Sequence, residues 1–148
     1  MDNLFKVKAG LAAFFSALSA LLGWQGILAV VWVAAMMLDY ISGTMAACKS
    51  GEWSSSVARE GIWHKSGMII VVVVAAIADG IMAMICARIP LGISWPTLIL
   101  PLVLAWYILT ESGSVLENAV KLGAAVPEWL TNLLKIGLDA VNKKGDGE

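Results

Sequence analysis

From Gly67 to Ala87 the chain is an unbroken apolar run that carries one ionisable side chain, Asp79. A segment of about 20 such residues matches the hydrocarbon thickness of a bilayer when helical. In that medium the backbone can satisfy its own polar groups only as a helix or a closed barrel. Three further segments read the same way: Ala9 to Leu22, Ile27 to Cys48, and Pro96 to Leu109, the last helix leaving the membrane by residue 113. The expected fold class is therefore all-α: a polytopic membrane protein with four transmembrane helices, spans 9–22, 27–48, 67–87 and 96–113.

Composition agrees. Hydrophobic residues make up 59% of the 148 and charged residues 14%, against about 25% charged in a soluble domain. A soluble chain of this size lacks the polar groups to cover its surface. Disorder needs low hydrophobicity and high net charge, and the formal net charge here is -1. That balance gives no electrostatic support for binding nucleic acid.

Gly23-Trp24-Gln25-Gly26 separates the first two segments. A single helix across both would be too long for the bilayer without severe tilt, so a tight interfacial turn with Trp24 at headgroup level is expected. Loop charges test this count. With four spans, Lys6, Lys8, Lys49, Arg59, Lys65, Lys121, Lys135, Lys143 and Lys144 share one side, nine of the ten basic residues. Arg88 alone faces the other side. The positive-inside rule then puts both termini in the cytoplasm. The start of the chain shares features with a signal peptide, but a second apolar span follows almost at once, so it is expected to be retained.

Residues 1–122 thus form the membrane domain and 123–148 a cytoplasmic tail. Leu130, Leu133, Leu134, Leu138 and Val141 recur at helical spacing, with Pro127 and Glu128 suited to the helix start. An amphipathic helix lying on the leaflet or packing on neighbouring subunits is expected.

Asp39 and Asp79 lie inside spans, where ionisable groups are costly and usually face a bundle interior, a partner or water. Counting along antiparallel spans puts them at similar depth, and two carboxylates that faced each other there would not both ionise easily. Small residues flank both: Asp39, Gly43 and Ala47 at four-residue steps, then Ala76, Asp79, Gly80, Ala83 and Ala87, with Ala12, Ser16 and Ala20 in the first span. Such stripes let helices approach closely, either between copies or within one bundle. Glu111, Ser114 and Asn118 share a face where the fourth span leaves the membrane. Arg88 reads as a snorkelling end-cap. Cys48 and Cys86 fall at opposite membrane faces, too far apart for a bridge. No nucleophile–base pair, phosphate loop or metal motif is present in the sequence, so neither an enzyme nor a cofactor is expected.

The order of these features resembles the toxin-secretion/phage-lysis holins. The residues that carry the resemblance are Asp39-Tyr40-Ile41-Ser42-Gly43, then Trp53-Ser54-Ser55, Gly61-Ile62, Lys65 and Asp79. Tyr107, Glu111, Ser114 to Asn118, Gly123 and Val126-Pro127 follow, over roughly Leu38 to Pro127. The chain departs from the family in its abundance of Trp and Ala. The resemblance implies a homo-oligomer in the bacterial cytoplasmic membrane that opens lesions, with an endolysin or an exported protein as functional partner and an antiholin as a further one. It supplies no catalytic residue. Asp39, Gly43, Ala76, Asp79, Gly80, Glu111, Ser114 and Asn118 are the candidate oligomerisation or pore residues. A small proton-coupled exporter and a regulatory subunit such as an antiholin are the competing readings. The first span carries no acidic residue, which weighs against the exporter.

Overall fold

A computed structural model describes residues 2–89 and 94–145 of the chain, and side chains chiefly between Gly23 and Asn142. The first-span stripe of Ala12 and Ala20 and the side chains of Lys6, Lys8, Lys143 and Lys144 lie outside the described residues. All regular structure among the described residues is helical: α1 (Asp2–Ser50), α2 (Ser55–Arg88), α3 (Ile99–Leu122) and α4 (Glu128–Gly145). Among the described residues, three segments are long and apolar enough to cross a membrane: Gly23–Ser50, Ser55–Arg88 and Ile99–Leu122.

The break between the first two apolar segments is more local than a four-residue turn. Trp24, Gln25 and Gly26 are helical, and the interruption is confined to Gly23 at φ 67, ψ 179. That conformation is open to glycine and strained for other residues. Trp24 is 58% exposed beside it, as an interfacial anchor would be.

The other helix ends follow from local chemistry. α1 stops at Gly51, whose φ of 74 lets the Glu52 N–H reach the Ala47 carbonyl at 3.0 Å. Ser54 caps α2 by accepting from the Val57 N–H at 3.3 Å. α3 ends at Gly123, φ 98, where the Ala124 N–H returns to Ala119 at 2.9 Å. These left-handed glycines satisfy carbonyls that a helix end leaves over. Lys49 adds a donor from α1, its Nζ 2.7 Å from the Leu122 carbonyl. α1 and α3 therefore end level with each other, at what we call the basic end of the bundle.

α3 is the hub. It runs parallel to α1, antiparallel to α2 and antiparallel to α4, and α1 and α2 barely touch. The core is small: Trp32, Met36, Met68 and Leu104 form one buried cluster, with Tyr107 packed against it. Trp32 stacks on Tyr107 with ring centroids 6.0 Å apart, and Tyr107 meets Trp106 edge-on at 5.2 Å. The Trp32 indole N–H is buried without a hydrogen-bond partner among the described residues.

Most large apolar side chains of α1 and α2 point outward, among them Val33, Met37, Ile41, Ile70, Val74 and Ile81. In water such a surface would be untenable. In lipid there is no hydrophobic penalty for it, and helices associate through packing and polar contacts instead. The chain is a multi-pass membrane protein, and its few buried polar groups organise it.

α4 departs from the expected surface helix. It folds back along α3, with Leu130 and Leu134 bordering one cavity together with Ser112, Val115 and Leu116. Gly137 abuts Leu109, and the Trp106 indole donates to the Asn142 side-chain oxygen at 2.8 Å. The amphipathic pattern is real; part of its apolar side is used within the same chain, while Trp129, Leu133 and Ile136 stay exposed.

Candidate functional site

Two polar sites, the first partly buried and the second fully, hold the three long helices together. The first joins α1, α2 and α3. Lys65 Nζ lies 2.9 Å from Asp39 Oδ2 and also bonds Glu111 Oε2, so one ammonium bridges carboxylates from two helices. Asn118 Nδ2 donates to Asp39 Oδ1 at 3.0 Å and to the Ser42 hydroxyl at 3.1 Å. Ser42 in turn donates to the Asp39 carbonyl at 3.1 Å. Glu111 is 3% exposed and Asn118 9%. Both oxygens of Asp39 are engaged, and the Lys65 charge is set against two acids. Buried charges persist only when so paired and bonded.

Gly43 faces this site directly. A Cβ there would lie 3.4 Å from Asn118 Nδ2, so α1 and α3 approach closely at the level where Asn118 must reach Asp39.

The second site is the start of α3. Asp79 of α2 is 2% exposed. Its Oδ1 accepts from the Trp95 indole at 2.7 Å and from the backbone N–H groups of Leu98 and Ile99, each at 3.1 Å; its Oδ2 accepts from Leu100 N–H at 2.7 Å. A helix start leaves such N–H groups without intrahelical partners. The next residue, Pro101, has no N–H, and Leu102 bonds back to Leu98 at 3.2 Å. The whole first turn is thus satisfied by one carboxylate from another helix and one proline. A carboxylate is also the charge that a helix N-terminus favours. Thr97 enters this turn at φ 48, a left-handed conformation that non-glycine residues seldom adopt.

Depth explains why so strong a cap is needed. Asp79 lies 14 residues along α2 from Lys65, about 21 Å at helical rise, and nine residues short of Arg88, about 14 Å. α2 is apolar over that last stretch. α3 therefore begins beside the middle of an apolar helix, with no water at hand for its N–H groups. Irregular backbone at membrane depth is tolerated only where protein satisfies it.

This arrangement corrects the expectation that Asp39 and Asp79 lie at similar depth, where they could have faced one another. They belong to separate networks at different levels of the bundle, because α2 enters the polar layer at Lys65, well before its apolar run. Of the other candidates, Asp39, Gly43, Glu111 and Asn118 come together in the first site. Ser114 stays outside it and bonds the Thr110 carbonyl of its own helix at 3.4 Å. Ala76 and Gly80 are exposed, and nothing lies within 4 Å of a Cβ placed on Gly80. The residue packed inward beside Asp79 is Ala75.

Lys65, Ser42 and Trp95 were not singled out from the sequence as site residues. Lys65 had a signal: two acids near the ends of apolar spans call for a cation, and Lys65 directly precedes the longest apolar run. Trp95 had none, because its role depends on the turn after α2. Cys48 and Cys86 are free. Among the described residues, no group of His, Cys, Asp and Glu is placed to hold a metal.

A family model for the bacteriophage holin family matches residues 16–137. An uncharacterized protein of Listeria innocua is 36% identical, with 96% of this chain and 91% of the relative aligned. An uncharacterized 14.9 kDa protein of Clostridium perfringens, named for the nagH 3′ region, is 28% identical, with 91% of this chain and 96% of the relative aligned. A Listeria monocytogenes relative, also uncharacterized, is 35% identical over 96% of this chain and 91% of its own length. No solved structure matches the chain at a significant level. The matched residues take in α2, α3, most of α4 and both polar sites, and the chain belongs to the bacteriophage holin family.

Proposed function

We propose that this chain assembles in the bacterial cytoplasmic membrane into lesions wide enough to pass a folded protein, releasing an endolysin or exporting a large protein. The observation that carries this reading, beside family membership, is how little of the chain lies outside its long helices and how much apolar surface those helices turn outward. A chain built this way acts through what it does to the membrane and through contacts with its own copies.

In this reading the N-terminal part of α1 is a fourth span, Gly23 marks the turn between spans, and the basic end faces the cytoplasm with the N-terminus, while α4 turns back from that end along α3. The side chains of Lys49, Arg59, Lys65 and Lys121 at that end support the orientation. The layer of Asp39, Lys65, Glu111 and Asn118 holds each copy together. Ala76, Gly80, Ala83 and Ala87 form an exposed small-residue stripe along α2, suited to close approach by another copy. The saturation of Asp79 by four donors favours this reading over a proton-coupled exporter, which needs a carboxylate free to exchange its proton.

The test is induced expression beside a cytoplasmic muralytic enzyme that has no export signal. Abrupt lysis that needs both proteins is expected. Cells that stay intact, with a membrane tight to a protein-sized reporter, would refute the proposal.

A further inference from the structure

We infer that α4 forms the inner wall of the lesion, its polar stripe facing the water of the passage; this rests on the lesion reading above. The helix has three faces. Leu130, Leu134, Leu138 and Val141 pack toward α3 and its neighbours or are half-buried, and Gly137 lets the helices approach, since a Cβ there would meet Leu109 at 3.1 Å. A second apolar stripe of Trp129, Leu133 and Ile136 is exposed at 66%, 57% and 65%. The third face carries Asn132, Lys135 and Asp139, all exposed and at three- to four-residue spacing.

What makes the third face informative is its depth. α4 rises antiparallel to α3 from the basic end, so its later residues lie beside the apolar part of α3. Leu109 and Trp106 are on the apolar side of Glu111. The Asn142–Trp106 bond at 2.8 Å fixes the end of α4 there. Val71, Leu102 and Val103 border the same cavity as Asn142. Asp139 is thereby held at a level where the outer surfaces of α1 and α2 are purely apolar. An ionisable side chain at such depth is costly against lipid and normally faces protein or water.

Asp139 has no ion-pair partner among the described residues. A single copy surrounded by lipid leaves the stripe unsolvated. A ring of copies that turns every α4 inward gives it water, while the adjacent apolar stripe stays on protein or lipid. The polar stripe thus favours the assembled, water-filled state over the isolated one.

Site-directed spin labelling of the full chain in vesicles tests this. Cys48 and Cys86 are first changed to Ala in a background that still lyses cells. Nitroxides are then placed singly through Trp129→Cys, Leu133→Cys, Ile136→Cys and Ala140→Cys on the apolar stripe, and Lys135→Cys and Asp139→Cys on the polar one. In vesicles that release an entrapped dye, immersion depth is expected to grow steadily from position 129 to 140. A water-soluble nickel relaxation agent is expected to reach position 139 several-fold more readily than position 136. Equal, shallow depth along the apolar stripe would show α4 lying flat on the leaflet and would overturn the inference while leaving the lesion reading intact. A position 139 shielded from the nickel agent in leaking vesicles would also overturn it. Vesicles that keep their dye would overturn both.

Discussion

Asp79 on α2 accepts the backbone N–H of Leu100 on α3 at 2.7 Å, across 21 residues of sequence. The cap of one helix is thus supplied by the interior of another, and the start of α3 is bound to the presence of that carboxylate. Asp79→Ala removes the acceptor for Leu98, Ile99, Leu100 and the Trp95 indole together. Each buried donor left unsatisfied costs about 1–3 kcal/mol, so loss of the folded state in mild detergent is expected, with rapid amide exchange at residues 98–100. Asp79→Asn keeps the shape and one acceptor oxygen and is expected to fall between Ala and the parent. Unchanged exchange at residues 98–100 in Asp79→Ala would contradict the cap.

Lys65→Met leaves Asp39 and Glu111 without their shared cation. Breaking a fully buried ion pair by removing one partner typically costs about 3–5 kcal/mol; the Lys65 and Asp39 side chains are 16% and 21% exposed, so a smaller but clear drop in thermal stability is expected in micelles. Adding Asp39→Asn and Glu111→Gln removes the stranded charges. That triple variant is expected to recover much of the loss, because the penalty lies in uncompensated charge. If the triple variant is no more stable than Lys65→Met, the three residues do not act as one unit.

Gly43 and Ala76 separate folding from assembly. Gly43→Leu drives a side chain into the space of Asn118, and overpacking of this kind costs about 1–3 kcal/mol. A loss of monomer stability is expected. Ala76→Leu projects from an exposed face and is expected to leave unfolding temperature unchanged while shifting the oligomer distribution in lipid toward smaller species. Crosslinking that gives parental ladders for Ala76→Leu would remove the α2 stripe from the assembly face.

Much of this bundle is legible in the sequence. The apolar runs located α2 and α3, and the helical spacing of Leu130 to Val141 located α4. What pattern alone leaves open is which surface an apolar face meets. The leucines of α4 suit a lipid leaflet and a neighbouring helix equally well; Gly137 against Leu109 brings one side of α4 onto α3, while Leu133 stays exposed. Depth was misjudged for a related reason. Counting residues inward from each end assumes that helices stop at the membrane surface, whereas α2 begins twelve residues before its apolar run and α3 begins beside Asp79, deep within it. The sequence marks Lys65 as a loop charge and as part of the family pattern but does not name its partners, which come from helices 26 and 46 residues away.

Gly23 offers a test of the kink. At φ 67, ψ 179, a region essentially confined to glycine, a side chain is strained by about 1–3 kcal/mol, so Gly23→Ala favours continuous helix through this point. Such a helix over Asp2–Ser50, 49 residues, would extend about 74 Å, more than twice the hydrocarbon thickness. Reporter fusions at the N-terminus are expected to shift in sidedness or to lose membrane insertion. Unchanged sidedness and lysis timing would show that the kink is dispensable.

The central claim is that this chain opens a membrane to folded proteins. The most direct measurement is release from vesicles that carry the purified full-length chain and enclose both a small dye and a folded fluorescent protein. Both cargoes are expected to leave the same vesicles, above a threshold of protein density. Release of the dye with retention of the protein, or retention of both at every density, would contradict the claim.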